Sequence, residues 1–235
     1  SDHRIYGIWH APTSGSAGDI VSQLDYQTYT DFTNLPSGQG AMNFENFRPN
    51  STNTATTFLN GDWDWLWFFY DYDQNNLDTQ NKLFDWTTWL FNDVNIGGLR
   101  MDAVKHFDPA FVGSVLDHMD GQGLNPGMGV GEFFDGNPNL LNGWVDQVNA
   151  NMTQTNIDVR VFDFAVRNAL KEACDNGGYD TRNVFNSGIV NGSGSSGFNS
   201  VTFINNHDFR GPGEPIQSDP MLGYAYILTN NQIGL

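Results

Sequence analysis

The spacing of hydrophobic and polar positions changes at about residue 70. Beyond that point apolar side chains recur with a helical period over 78–94, where Leu83, Trp86 and Leu90 share one face. Short apolar runs then alternate with further stretches of helical period. Alternating strands and helices are typical of βα units, which build a parallel sheet.

Four strand–helix pairs are predicted in this second region. Asp108 and Pro109 supply an N-cap and a first-turn proline for one helix, and Gly177-Gly178 ends another. The predicted strands are 96–102, 128–132, 159–164 and 200–205. The predicted helices are 78–94, 109–118, 138–150, 165–175 and 222–228.

The first region has a different character. Residues 1–62 show little sustained periodicity and many turn formers, and the aromatic run 63–70 alternates as on a strand. We therefore predict two domains: an irregular, β-rich domain over 1–70 and an α/β domain over 71–235.

The predicted α/β domain is part of a barrel. A (β/α)₈ barrel needs eight strand–helix units, and only about four are visible here. Residues 1–62 do not resemble the missing units. The fold class expected is therefore a partial (β/α)₈ TIM barrel, incomplete in this chain and with unpaired strand edges on both sides.

Charge and composition narrow the function. The chain has 27 acidic and 10 basic residues, which disfavours nucleic acid and anionic membrane surfaces as partners. A single cysteine, Cys174, excludes an internal disulfide and a cysteine-cluster metal site, and we expect it to be a small buried hydrophobe. Abundant Asn, Gly, Ser and Thr beside aromatic rings suits a neutral polyhydroxylated ligand, or equally a loop-rich exported protein.

Three acids carry the candidate chemistry: Asp102, Glu132 and Asp208, each near the end of a predicted strand. In a barrel these strand ends form the active site. Two carboxylates can run glycoside hydrolysis. Arg100 shares a strand face with Asp102 and could hold it ionised, while neighbouring aromatics would raise the pKa of Glu132 as a general acid requires.

The segments around these acids resemble the α-amylase family of retaining glycosidases. Residues 98–106 (GLRMDAVKH) are similar to its nucleophile motif, 131–136 (GEFFDG) to its acid/base motif and 203–208 (FINNHD) to its third motif. They occur in the family's order. The resemblance implies endo-hydrolysis of α-1,4 bonds in starch or glycogen by double displacement, in a secreted and monomeric protein.

Residue roles follow from the same resemblance. Asp102 would be the nucleophile, Glu132 the acid/base and Asp208 the transition-state stabiliser. The implied substrate-binding residues are Arg100, which would also orient Asp102, His207 on a sugar hydroxyl, and Lys105 and His106 on the leaving-group side. The alternative is that the acids are structural caps.

The family also implies a structural calcium ion. Asp71 begins an acidic stretch similar to its ligand segment, the carbonyl of His106 matches a further donor, and Asp64 is a weaker candidate. Hard oxygen donors suit Ca²⁺. Solvated acids at a strand end are the alternative interpretation.

Two other functions stay open. A glucanotransferase would use the same acids and differ in its acceptor subsites. A non-catalytic glucan-binding chain is favoured by what is missing, since the family's earlier Asp…Asn-His motif and eighth strand are not found here.

Overall fold

The computed structural model describes most of the chain after residue 70 and parts of the region before it. The described residues are 5–9, 20–25, 41–48, 52, 71–126, 128–191 and 194–229. The predicted strand 63–70 and the candidate calcium ligand Asp64 lie outside them.

Two antiparallel strand pairs are described near the start. Strand β1 (Ile5–Trp9) pairs with β2 (Ile20–Asp25), and β3 (Phe47–Arg48) pairs with β4 (Asp71–Tyr72). Asn46 extends the second contact, because its Nδ2 donates to Asp78 Oδ2 at 2.8 Å and to Thr79 Oγ1 at 3.0 Å. These bonds cross residue 70, and the domain boundary proposed there stays a prediction.

A parallel sheet forms the centre of the remaining chain. Its strands are β5 (Leu99–Met101), β6 (Gly129–Gly131), β7 (Val159–Phe162) and β8 (Ser200–Val201), in that order. The helices are α1 (Leu77–Asn92), α2 (Pro109–Gly121), α3 (Pro138–Asn151), α4 (Phe164–Asp175) and α5 (Pro220–Thr229). The predicted α/β class and strand–helix alternation are confirmed.

Two clusters of buried side chains hold this architecture. One cluster joins α2 and α3 to the sheet through Leu116, Leu141 and Val161, all fully buried. A second joins α4 and α5 and includes Cys174, which is buried as expected. In the part of the chain that the structure describes, no helix is both long and apolar enough to cross a membrane.

The fourth strand is shorter than the pattern 200–205 predicts. It ends at Val201, and the chain then leaves the sheet. The departure has a physical reason, since the Ile204 side chain is buried in the α4–α5 cluster and its carbonyl oxygen accepts from the Arg167 side chain. His207 and Asp208 consequently lie in a loop, and the expectation that they sit at a strand end is wrong.

Candidate active site

Two of the predicted acids follow adjacent strands directly. Met101 and Gly131 are partners in the parallel register, so Asp102 and Glu132 are the next residues of β5 and β6. Hydrogen bonds continue past the strands: Glu132 N donates to Met101 O at 2.8 Å, and Val104 N to Glu132 O at 3.1 Å. Backbone pairing therefore fixes both acids at the carboxyl ends of these two neighbouring strands.

One guanidinium joins the two carboxylates. Arg100 Nη1 lies 2.8 Å from Asp102 Oδ1, and Nη2 lies 2.8 Å from Glu132 Oε1. The shared strand face inferred from the two-residue period is confirmed. Burial disfavours the charged guanidinium, but attraction to both carboxylates outweighs it and raises the pKa of Arg100.

The two carboxylates have unequal environments. The Asp102 side chain is 67% exposed, whereas the Glu132 side chain is 9% exposed. Burial is the largest influence on Glu132 and, together with its contact to Asp102, raises its pKa, although Arg100 acts in the opposite direction. Such a difference in environment is the usual way in which two carboxyl groups acquire an acid and a nucleophile role.

The backbone immediately after Asp102 is strained. Ala103 has φ 50° and ψ 37°, a left-handed conformation that is uncommon for a residue with a Cβ. It turns the chain into a short 3₁₀ segment, Val104–His106, which the fully buried Val104 anchors. Sequence reasoning missed this feature, because an alanine gives no signal for a left-handed residue.

A glycine places the other acid. A Cβ on Gly131 would lie 2.3 Å from Cη2 of Trp144, a buried indole on α3. Only a residue without a side chain lets the end of β6 approach the helix this closely. Glu132 therefore takes its position from the packing of the preceding residue.

Lys105 and His106 lie beside this pair of acids. Lys105 Nζ is 3.1 Å from Asp135 Oδ2 and 5.6 Å from the centre of the Phe133 ring, so it contacts the segment that follows Glu132. His106 ends the 3₁₀ segment, and its backbone N–H donates to Ala103 O at 3.0 Å. Their predicted substrate contacts stay predictions.

The third acid occupies a separate environment. Asp208 Oδ2 lies 3.3 Å from His207 Nε2, and Oδ1 lies 3.5 Å from Arg210 Nη2. Within the described ranges, no hydrogen bond or ion pair joins Asp208 to Arg100, Asp102 or Glu132. The link between the two groups is aromatic, since the rings of Phe209 and Phe134 have centres 6.5 Å apart.

A fourth acid follows a strand but has a structural role. Asp163 comes directly after β7 and is completely buried. Its carboxylate accepts from Val166 N at 3.1 Å and Val190 N at 2.9 Å, which caps α4 and ties down a neighbouring turn. Burial nevertheless raises the pKa of Asp163. Because both of its carboxylate oxygens accept from backbone N–H groups, we place Asp163 outside the candidate site.

Sequence reasoning also missed a buried cation near Asp208. Arg167 on α4 is 4% exposed, and its guanidinium carbon lies 3.5 Å from the centre of the Phe209 ring. The available signal was a charged residue within the apolar face of a short helix.

The predicted calcium ligands stay a prediction, since Asp64 lies outside the described residues. Among the described residues, no three His, Cys, Asp or Glu side chains are grouped so that they could hold a metal ion. Asp71 belongs by its backbone to β4, and His106 is in the 3₁₀ segment. A calcium ion would need main-chain or amide oxygens as well, a mixed donor set that Ca²⁺ accepts.

The curated proteins similar to this chain include several named alpha-amylase. An "Alpha-amylase" of Geobacillus stearothermophilus is 32% identical over 157 residues, 64% of this chain and 27% of that protein. A "Glucan 1,4-alpha-maltohexaosidase" of Bacillus sp. (strain 707) is 31% identical over 65% of the chain and 28% of its own length. A "Cytoplasmic alpha-amylase" of Escherichia coli (strain K12) is 27% identical over 61% and 28%.

The similarity has a limited extent. The matched part of the chain spans between a quarter and a third of the length of each of these relatives. No family model matches the chain.

Proposed function

The chain belongs to the α-amylase family of retaining glycosidases, and on that premise we propose that its acids cleave internal α-1,4 bonds of starch or glycogen. The observation that carries the proposal is the single guanidinium that binds two carboxylates of unequal burial, Asp102 and Glu132. An exposed carboxylate can reach the substrate, and a buried one with a raised pKa can keep a proton to donate.

The proposed reaction has two steps. Asp102 Oδ attacks the anomeric carbon while Glu132 donates its proton to the glycosidic oxygen, so the leaving chain departs as an alcohol. Glu132, now ionised, takes a proton from water, and the resulting oxygen displaces Asp102 from the sugar. Two inversions retain the configuration and regenerate both carboxyl groups.

The other residues have supporting roles in this proposal. Arg100 holds the Asp102 carboxylate in position through their ion pair. Asp208 stabilises positive charge that develops on the sugar ring, while His207 binds a ring hydroxyl. Lys105 and His106 lie on the side of the leaving chain.

We propose further that the sheet is part of a (β/α)₈ barrel, with residues 1–70 as an inserted domain. The parallel order β5–β6–β7–β8 and the position of both acids at the carboxyl ends of strands support this interpretation. Export remains a prediction, because one relative is named a cytoplasmic enzyme.

Calcium is part of the proposal as a structural ion. Asp71 and the carbonyl oxygen of His106 would hold it, with Asp64 as a further candidate. Bound there, the ion would supply cross-linking between the chain before β5 and the turn after Asp102.

The test is hydrolysis of soluble starch by the full-length protein, with and without Ca²⁺. We expect reducing ends to be released, the α-anomer to form first by NMR, and Asp102→Asn to lower kcat at least ~10⁴-fold. Asp93→Asn, an exposed change at the end of α1, is the matched control and should retain activity.

Each result discriminates between functions. Activity that persists in Asp102→Asn would contradict the assigned nucleophile. Longer glucans formed in place of new reducing ends would indicate a glucanotransferase. Binding of starch without turnover would indicate a glucan-binding chain.

A further inference from the structure

Three charged side chains on α4 bind the backbone of the loop that carries Asp208. Arg167, Lys171 and Asp175 are spaced four residues apart, so they form one row along the helix. The loop, residues 202–218, follows β8 and includes His207 and Asp208. We call these three residues the α4 row and this segment the Asp208 loop.

Arg167 connects the two arms of the loop. Its Nε donates to Ile204 O at 3.2 Å, and its Nη2 donates to Glu214 O. One carbonyl precedes Asp208 and the other follows it. The guanidinium also lies 3.5 Å from the centre of the Phe209 ring, next to Asp208 in sequence.

The other two members of the row hold the end of the loop. Lys171 Nζ donates to Pro215 O at 3.1 Å and pairs with Asp175 Oδ2 at 2.8 Å. Asp175 Oδ1 accepts from Gln217 N at 3.0 Å and from Ser218 N at 2.8 Å. The row thus binds the loop backbone on both sides of its tip.

Burial of the Arg167 guanidinium is energetically unfavourable compared with burial of an apolar side chain of similar size. Burial of a charge is unfavourable unless hydrogen bonds compensate for it, and an apolar side chain would pack there at lower cost. The hydrogen bonds that the Arg167 side chain donates go to two loop carbonyls and to Asn168 Oδ1. Its chemistry is therefore directed at the loop backbone.

We propose that Arg167 is a positioning residue, which sets where Asp208 meets the substrate by holding Ile204, Glu214 and Phe209. The inference rests on the proposed function, in which Asp208 stabilises the transition state. Arg167 itself touches no reacting atom, so its effect on turnover runs through Asp208.

The kinetic test uses Arg167→Met in the full-length protein with soluble starch. Loss of a group that positions a transition-state contact should lower kcat and kcat/KM together, about 100-fold, with KM changed less than about twofold. Arg167→Lys keeps the charge but not the planar guanidinium, so its kcat should lie between the values for Arg167→Met and wild type. Arg182→Met, which removes an exposed arginine, is the matched control and should be neutral.

A second measurement checks the route through Asp208. In an Asp208→Asn background, Arg167→Met should lower the remaining kcat less than about threefold, because the two changes remove the same interaction. An undiminished 100-fold loss in that background would overturn the proposal.

Amide hydrogen exchange separates this inference from the proposed function. Arg167→Met should speed exchange in residues 204–218 at least about tenfold while amides of β6 and β7 keep wild-type rates. Unchanged loop exchange would refute positioning even if starch is cleaved. If the protein cleaves no glucan, the proposed function fails while the exchange result still decides whether Arg167 fixes the loop.

Lys171→Met keeps the test decisive if Arg167→Met does not fold. It leaves the buried guanidinium in place and removes the donor to Pro215 O. We expect faster exchange over 213–218 and a kcat lowered several-fold. Wild-type exchange rates and a wild-type kcat in Lys171→Met would contradict the inference that the α4 row holds the Asp208 loop in place.

Discussion

The acids of this site are positioned in two different ways. Asp102 and Glu132 each follow a strand directly, and Arg100 binds both, so hydrogen bonding within the sheet sets their separation. Asp208 comes seven residues after β8 and depends on side chains of α4 that reach its loop. We refer to Arg100, Asp102 and Glu132 as the strand-end group.

The difference indicates which part of the site can move. The ends of paired strands move only when hydrogen bonds of the sheet break, whereas a loop held by side chains can shift when one contact is lost. The strand-end group should therefore tolerate little change without loss of chemistry or stability. The Asp208 loop should respond to single substitutions in a graded manner.

Apart from loss of the nucleophile itself, the largest effect is expected for Arg100→Met, which removes the cation of the strand-end group. Activity on starch should fall about 100-fold or more, because both carboxylates lose the partner that orients them. Arg100 opposes the rise in the pKa of Glu132, so its removal should raise that pKa further. The general acid must be protonated, and the basic limb of the kcat/KM–pH profile should therefore move to higher pH.

The pH profile is the decisive measurement for Arg100. A general loss of structure would lower activity at every pH and leave the limb in place. A basic limb that moves to lower pH would contradict the assignment of Glu132 as the acid. Arg182→Met again serves as the control, since its partner Asp180 is remote from the acids in sequence and both side chains are exposed.

Much of the strand-end group could be predicted from sequence. A two-residue period places Arg100 and Asp102 on one face of their strand. Short apolar runs that end in acids place Asp102 and Glu132 at the carboxyl ends of the strands. Both inferences need only local geometry and the parallel order of strands. The structure agrees with them because backbone hydrogen bonds continue through Glu132.

The Asp208 loop could not be predicted in the same way. Residues 200–205 are β-prone, but burial of Ile204 against α4 and α5 takes the chain out of the sheet after Val201. That outcome depends on contacts between segments far apart in sequence. The spacing of Arg167, Lys171 and Asp175 predicts a shared helix face but not what that face binds.

Gly131→Ala should have the next largest effect, on stability. Its Cβ would overlap the Trp144 ring at 2.3 Å, and overpacking of this kind costs about 1–3 kcal/mol. Gly143→Ala on α3 is the matched control, because a Cβ there meets nothing within 4 Å. In a helix interior that change should stabilise by about 0.5–1 kcal/mol.

Urea unfolding of the two glycine variants measures the difference directly. We expect the midpoint to fall for Gly131→Ala and to rise for Gly143→Ala, with similar slopes. Equal midpoints would show that the end of β6 can move away from the helix. The strand-end group would then be no more rigid than the Asp208 loop.

The smallest effect is expected at the far end of the α4 row. Lys171 is the main cause that lowers the pKa of Asp175, and the N–H groups of Ser218 and Gln217 add to it. A carboxyl whose pKa is lower in the folded state stabilises the fold above its unfolded pKa of about 4, and that contribution is lost as the pH falls further.

Asp175→Asn should cost less than about 1 kcal/mol at neutral pH, because the pair lies near the surface. The variant should also lose less stability than wild type as the pH falls from about 5 to 3, because there the unfolded chain binds a proton at Asp175 while the folded protein does not. Urea unfolding at each pH, with Asp93→Asn as control, measures both. Parallel curves for Asp175→Asn and wild type would mean that the carboxylate is not stabilised by the loop, which would leave Arg167 as the main tie between α4 and Asp208.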